Sequence, residues 1–207
     1  MGFYPELDHL SLDQLIDRFH GPPPDGPEYA TAFYQEVASL MRQYDPRGLD
    51  TLLQELPRKN LDTERLRGIL LGLTFPPPPD PDRLRSVLNS LRNYMRDERP
   101  LIVADAVAGL QRMGAEEAAD EVYALRHHPS PYVRANVLRF LGRLRPGLAW
   151  SILQDALRDE DKLVREAAIE VLVDLVDRAV DVLESVAEEE RDPDVRRLAE
   201  AALARTA

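Results

Sequence analysis

A chain of 207 residues with 44% hydrophobic content is long enough to bury a core without staples and too apolar to be disordered. It holds no cysteine, which removes disulfides, thiolate nucleophiles and Cys-ligated metals, and no run of about 18 apolar residues that would span a membrane. Its formal net charge of −11 opposes the phosphate backbone of nucleic acids, whose binders gain affinity by releasing counterions with Lys and Arg.

In chain order, the first twenty residues carry Asp8, Asp13 and Asp17 without an early positive cluster. That reads against a secretion signal and, with the missing cysteines, for a cytoplasmic protein. Ser11 with Gln14 has the spacing of a capping box, and Leu10 with Leu15 that of a hydrophobic staple, so a short helix is expected over 11–19. Gly21 to Gly26 is a proline-rich, stiff linker. Ala30, Phe33, Tyr34, Val37, Leu40, Met41 and Tyr44 are apolar at helical spacing and predict a helix over 27–44. Five helical hairpins should follow, at about 46–74, 81–113, 115–144, 146–175 and 177–205.

The hairpins rest on an internal repeat. Val-Arg recurs at Val133-Arg134, Val164-Arg165 and Val195-Arg196, each 31 residues from the last. Leu110, Leu141, Leu172 and Leu203 share that register, as do Ala106, Val137, Ala168 and Ala199. Pro100, Pro131 and Pro193 also fall in it, with Lys162 as the exception. Ser130, Asp161 and Asp192 are residue types that cap a helix N-terminus, and proline suits the turn that follows because its missing N–H has no partner there. Val133, Val137, Phe140, Leu141 and Leu144 make one apolar helical stripe, which predicts burial of Leu141 and its register mate Leu172. Shorter helices carry Ile152, Leu153 and Ala156, then Val182, Leu183 and Val186. Further back, Leu66-Arg67 lies 36 residues before Ile102, the five extra residues falling near the insertion Pro76 to Pro79.

The stretches from Asp192 to Leu203 and from Val164 to Ala168 resemble HEAT-like repeats, of the variety seen in phycobilisome lyases and many bacterial HEAT proteins. The resemblance is specific over about 100–205 and loose over 46–99, and it departs at Val103, where an Arg is expected. It implies an all-α, α-α superhelix with 46–207 as one continuous domain; residues 1–45 lie outside the resemblance and are expected, from their own helical patterns, to be N-terminal cap helices. In such proteins the second helix of each hairpin lines a concave groove that binds protein segments, and the recurrent Arg is structural. A bilin lyase or lyase-like chaperone acting on a tetrapyrrole-carrying protein is the alternative the resemblance brings with it.

Catalytic patterns are missing: there is no Gly-x-Ser-x-Gly, no phosphate loop and no His-Glu-x-x-His. His127-His128 has no neighbouring ligands to complete a metal site, and Glu6-x-x-His9 lacks the second copy a di-iron bundle needs. Gly68-x-x-x-Gly72 is expected to mark close helix packing. Arg134, Arg165 and Arg196 read either as an anion ladder or, as favoured here, as structural residues paired with Asp161, Asp192 or exposed carbonyls of the neighbouring repeat. Glu188-Glu189-Glu190 reads as a solvated helix end, while Tyr132 and Trp150 fit either a binding hot spot or the edge of the core.

Charge distribution gives the one positive signal. Val122 to Gln154 contains no Asp or Glu but five Arg, whereas Asp155 to Glu200 carries 16 acidic and 7 basic residues. Either opposite charges pair between repeats, or a bipolar groove orients a partner. The second version places a partner protein or peptide on Arg134, Arg139, Arg143, Glu166, Glu170 and Asp174. No enzyme activity, cofactor, metal, nucleic acid or membrane is expected with it, and a monomer is favoured.

Overall fold

The computed structural model describes residues 3–58, 61–175 and 180–204. Among them every regular element is helical, and they divide into two compact units, Met1–Met113 and Gly114–Ala207.

The first unit begins with a 3₁₀ turn, Pro5–Leu7, and the helix α1, Leu12–His20. The capping box forms as its spacing requires: Ser11 Oγ accepts from the Gln14 N–H at 3.3 Å, and Gln14 Oε1 accepts from the Ser11 N–H at 2.9 Å. After the proline linker, a 3₁₀ turn at Pro27–Tyr29 leads into α2, Ala30–Met41, and a further turn at Arg42–Tyr44 closes the expected 27–44 segment. Two hairpins follow, α3 (Arg47–Glu55) with α4 (Thr63–Thr74), and α5 (Pro81–Tyr94) with α6 (Pro100–Arg112). Asp62 and Asp80 cap α4 and α5 by accepting first-turn N–H groups.

Helix α1 packs on α2, α2 on α4, and α4 on α6. Tyr4, Phe19, Phe33 and Tyr34 meet edge to face where α1 and α2 join, the arrangement aromatic quadrupoles favour. The α2–α4 approach needs the predicted glycine pair. A Cβ on Gly68 would stand 2.7 Å from the Tyr34 carbonyl oxygen, and one on Gly72 would stand 2.9 Å from Ala38 Cβ. The guanidinium of Arg42 is buried in this unit and is held by Asp45 and the Gly72 carbonyl, so its charge is compensated where it lies.

The second unit holds three hairpins. A 3₁₀ turn at Glu116–Ala118 and the short α7 (Ala119–Tyr123) precede α8 (Pro131–Leu144). Then come α9 (Pro146–Ala156) with α10 (Lys162–Asp174), and α11 (Val180–Glu189) with α12 (Pro193–Leu203). The second helices pack in series, α8 on α10 and α10 on α12. Their shared columns form the core: Val133, Val164 and Val195 are buried, as are Val137, Ala168 and Ala199. Leu141 and Leu172 are fully buried, each worth about 1.5–3 kcal/mol relative to an exposed side chain.

Capping differs from expectation at one repeat. Asp161 and Asp192 accept first-turn N–H groups, but the Ser130 side chain makes no cap bond. Instead the Ser130 N–H donates to His128 Nδ1 at 3.1 Å, so the loop before α8 is shaped from two residues upstream.

Candidate partner-binding surface

Each repeat of the second unit ends its inter-helix loop with the same device. The Asp161 N–H donates to Asp159 Oδ1 at 2.9 Å, and the Asp192 N–H to Glu190 Oε1 at 2.9 Å. His128, Asp159 and Glu190 are 31 residues apart, so one column of side chains accepts the N–H two residues on. In the first unit Asp97 does the same for Arg99.

The recurrent arginines clamp these loops. Arg134 donates from Nε and Nη2 to both oxygens of Asp159, at 2.9 and 2.7 Å, and from Nη1 to the carbonyls of His128 and Pro129. Arg165 repeats the pattern with Glu190 and the carbonyls of Asp159 and Glu160. Arg196 donates to the Glu190 carbonyl. The arginines are therefore structural, as the resemblance implied. Their acids are Asp159 and Glu190 and not Asp161 and Asp192, because the capping aspartates already accept N–H groups of their own helices.

Electrostatics follow from this geometry. Burial alone would raise the Asp159 carboxyl, but the Arg134 hydrogen bonds, the Asp161 N–H and the charges of Arg134 and Arg165 outweigh it and hold it below the usual carboxylate range. Glu190 is lowered against its own burial by the Asp192 N–H and Arg165. Partial burial and the Arg134 charge lower the imidazole of His128, which favours the neutral ring whose Nδ1 accepts from Ser130.

The six candidate residues separate into two groups. The side chain of Arg134 is only 13% exposed and is bound to the loops at His128, Pro129 and Asp159. The other five lie along the outer rows of α8 and α10. Arg139 and Arg143 are one turn apart on α8, and Glu166, Glu170 and Asp174 follow turn by turn on α10. Arg139 and Glu170 occupy the same column and pair directly, Nε to Oε2 at 2.7 Å, with side chains 30% and 48% exposed. Arg143 and Asp174 are exposed in the next column. Part of the charge asymmetry is thus spent between repeats and part faces outward. Tyr132, at the start of α8, is 54% exposed, and Trp150 on α9 is 36% exposed.

Residues 122–204 match the family model for HEAT repeats. That stretch is built of HEAT-like repeats. No curated protein matches the sequence. Among solved structures, a designed armadillo repeat protein in complex with the peptide (KR)4 aligns with a TM-score of 0.58 at 14% identity, over 96% of this chain and 100% of its own. An engineered protein aligns with a TM-score of 0.58 at 15% identity, over 95% of this chain and 98% of its own. A computationally designed armadillo repeat protein for modular peptide recognition aligns with a TM-score of 0.54 at 15% identity, over 94% of this chain and 99% of its own. At these identities the likeness is one of fold. In these HEAT-like repeats the register therefore has two roles. Its buried columns hold the hairpins together, and its outer columns on α8 and α10 present side chains at fixed spacing.

Among the described residues no helix is long and apolar enough to cross a membrane, and no group of three or more His, Asp or Glu is placed to hold a metal ion.

Proposed function

We propose that the chain is a non-catalytic binding scaffold that holds an extended segment of another protein across the second helices of its C-terminal unit. The observation that carries this reading is the outward row on α8 and α10. Arg139 and Arg143 on α8 stand one turn apart and in 31-residue register with Glu170 and Asp174 on α10, and Glu166 continues the α10 row by one turn. Beneath the row the backbone is fixed by the buried Val, Ala and Leu columns and by the Arg134 and Arg165 clamps. Such a surface meets an extended chain with regularly spaced groups and little reorganisation, which is how repeat arrays recognise linear segments. The peptide named with one designed armadillo neighbour, and the peptide recognition named with another, support this mode.

A peptide-display selection against the purified protein, followed by surface plasmon resonance, tests the proposal. Selected linear peptides should bind the parent protein, and Arg139→Glu with Arg143→Glu should slow association at low salt about tenfold or more while leaving the melting transition nearly in place. A selection that yields no binder, or binders whose association ignores both changes, refutes it.

A further inference from the structure

The C-terminal unit has two clefts lined by none of Arg139, Arg143, Glu166, Glu170 and Asp174, and the two are related by the repeat. Between α7 and α9 the cleft is about 190 Å³, and between α9 and α11 about 740 Å³. A shift of 31 residues compares them position by position. Tyr123 becomes Gln154, Arg126 becomes Leu157, Ser151 becomes Val182, and Asp155 becomes Val186. In the smaller cleft Arg126 lies over the Tyr123 ring at 4.3 Å, a cation–π contact between two lining residues, and Ser151 and Asp155 give it a polar wall. In the larger cleft Gln154 and Leu157 take the places of that pair and make no cation–π contact, and Leu157, Val182 and Val186 are all half-buried.

An apolar wall exposed where the preceding repeat has a polar one is a surface to be covered. Charge indicates what covers it. Helix α11 carries Asp181, Glu184, Glu188 and Glu189, all exposed, and no Lys or Arg between Val180 and Glu189. Asp181, Glu189 and Glu160 line the cleft together with Arg158 and Arg191, so the uniform negative charge lies on α11 itself. The base is closed by the Arg165–Glu190 pair, so these two charges are already satisfied.

We propose that the α9–α11 cleft is a second docking site, and that its occupant is a basic amphipathic helix of a partner protein. Its apolar side chains enter between Leu157, Val182 and Val186, and its Lys and Arg residues lie along the acidic flank of α11. This is the helix-in-groove mode, in which apolar anchors supply the binding and flanking charges set orientation and rate. The site is independent of the α8–α10 row, so either can fail without the other.

The probe is a fluorescein-labelled 18-residue amphipathic Leu/Lys helix, read by fluorescence anisotropy against the full chain at physiological salt. The deciding variant is Val182→Ser with Val186→Asp, which installs the residues found at the equivalent positions 151 and 155 and also adds one negative charge. Saturable binding to the parent and an affinity about tenfold lower in this variant are expected, since hot-spot contacts sit in the apolar pocket. Binding held only by charge would be unchanged or stronger, and either result overturns the proposal. Asp181→Lys with Glu189→Lys, both exposed, should also weaken binding about tenfold. If the first variant fails to fold, that pair decides the question together with a scrambled peptide of the same composition, which should bind the parent about tenfold more weakly. Arg139→Glu with Arg143→Glu should leave probe binding as it is. Equal binding of a scrambled peptide of the same composition, no binding at all, or a self-association in sedimentation that Val182→Ser/Val186→Asp abolishes, would each overturn the proposal, the last by naming a second copy of the chain as the occupant.

Discussion

Removing the Arg134 side chain tests the repeat clamp most directly. In Arg134→Met the Asp159 carboxylate, whose side chain is 15% exposed, loses both oxygens' guanidinium donors, and the carbonyls of His128 and Pro129 lose theirs. Both partners are less than a third exposed, so little of the interaction is screened by solvent. Breaking a fully buried pair costs about 3–5 kcal/mol, and a surface pair at most about 1 kcal/mol. Asp159 still accepts from the Asp161 N–H, which places the expected loss between these, at about 2–3 kcal/mol. For a chain of this size that lowers the melting temperature by roughly 5–10 °C. Urea unfolding of Arg134→Met, Asp159→Asn and the double variant measures the coupling, which should be about 2 kcal/mol. Acidification gives an independent readout. The Asp159 pKa is lower folded than unfolded, so the native state binds fewer protons, and the stability this group provides is present above its unfolded pKa and lost as pH falls through its folded one. The advantage of the parent over Arg134→Met should therefore hold at neutral pH and shrink below about pH 4. Single losses that add within about 0.5 kcal/mol in the double variant would show that Arg134 and Asp159 do not act as a unit.

Two further outcomes follow from the core and the caps. Leu141→Ala and Leu172→Ala, both fully buried, should each cost about 2–5 kcal/mol in the same urea experiment, and parent-like unfolding of both would place the repeat register wrongly. Ser11→Ala should cost about 1 kcal/mol through the lost capping box, whereas Ser130→Ala should cost almost nothing because only its backbone N–H is engaged. Equal losses at the two serines in thermal melts would contradict the capping assigned here.

The sequence was most informative where one periodic demand repeats. Val133, Val137, Phe140 and Leu141 are apolar for one reason, burial against the neighbouring second helix, and their counterparts 31 residues on have the same reason, so the columns announce the core. Gly68 and Gly72 could be read because close helix approach leaves few alternatives to glycine. The acids that pair with the arginines were harder. Asp159 and Asp161 stand two apart in the same loop and both recur, as Glu190 and Asp192, so periodicity alone cannot tell the clamp from the cap. Only the geometry does: the capping aspartate turns to the N–H groups of its own helix, and the residue two before it is left for the arginine of the preceding hairpin. His128 shares the accepting role without the charge, and no charge pattern would have revealed it. The two first-helix clefts were hidden for another reason. Val182 and Val186 look like ordinary core residues until the α7–α9 cleft shows that their positions hold Ser151 and Asp155 one repeat earlier.

The charge asymmetry of the C-terminal unit had two readings, pairing between repeats and orientation of a partner, and Arg139 with Glu170 can separate them. The pair bridges α8 and α10 at 2.7 Å with side chains 30% and 48% exposed, so on its own it contributes no more than about 0.5–1 kcal/mol. Arg139→Glu places two carboxylates opposite each other and should lower stability by a similar amount. Exchanging the pair, Arg139→Glu with Glu170→Arg, restores an opposite-charge contact at the same site and should recover most of that loss. Binding should respond differently. If the only role of the asymmetry is to join repeats, the exchanged protein regains both its melting temperature and its association rate for a selected peptide. If the row orients a partner, the exchange restores stability but presents acid where the peptide expects base, and association stays slow at low salt while the difference fades as salt is raised past a Debye length of about 8 Å. Thermal melts and surface plasmon resonance on the same three proteins read both quantities, and a swap that recovers rate together with stability would assign the asymmetry to the fold.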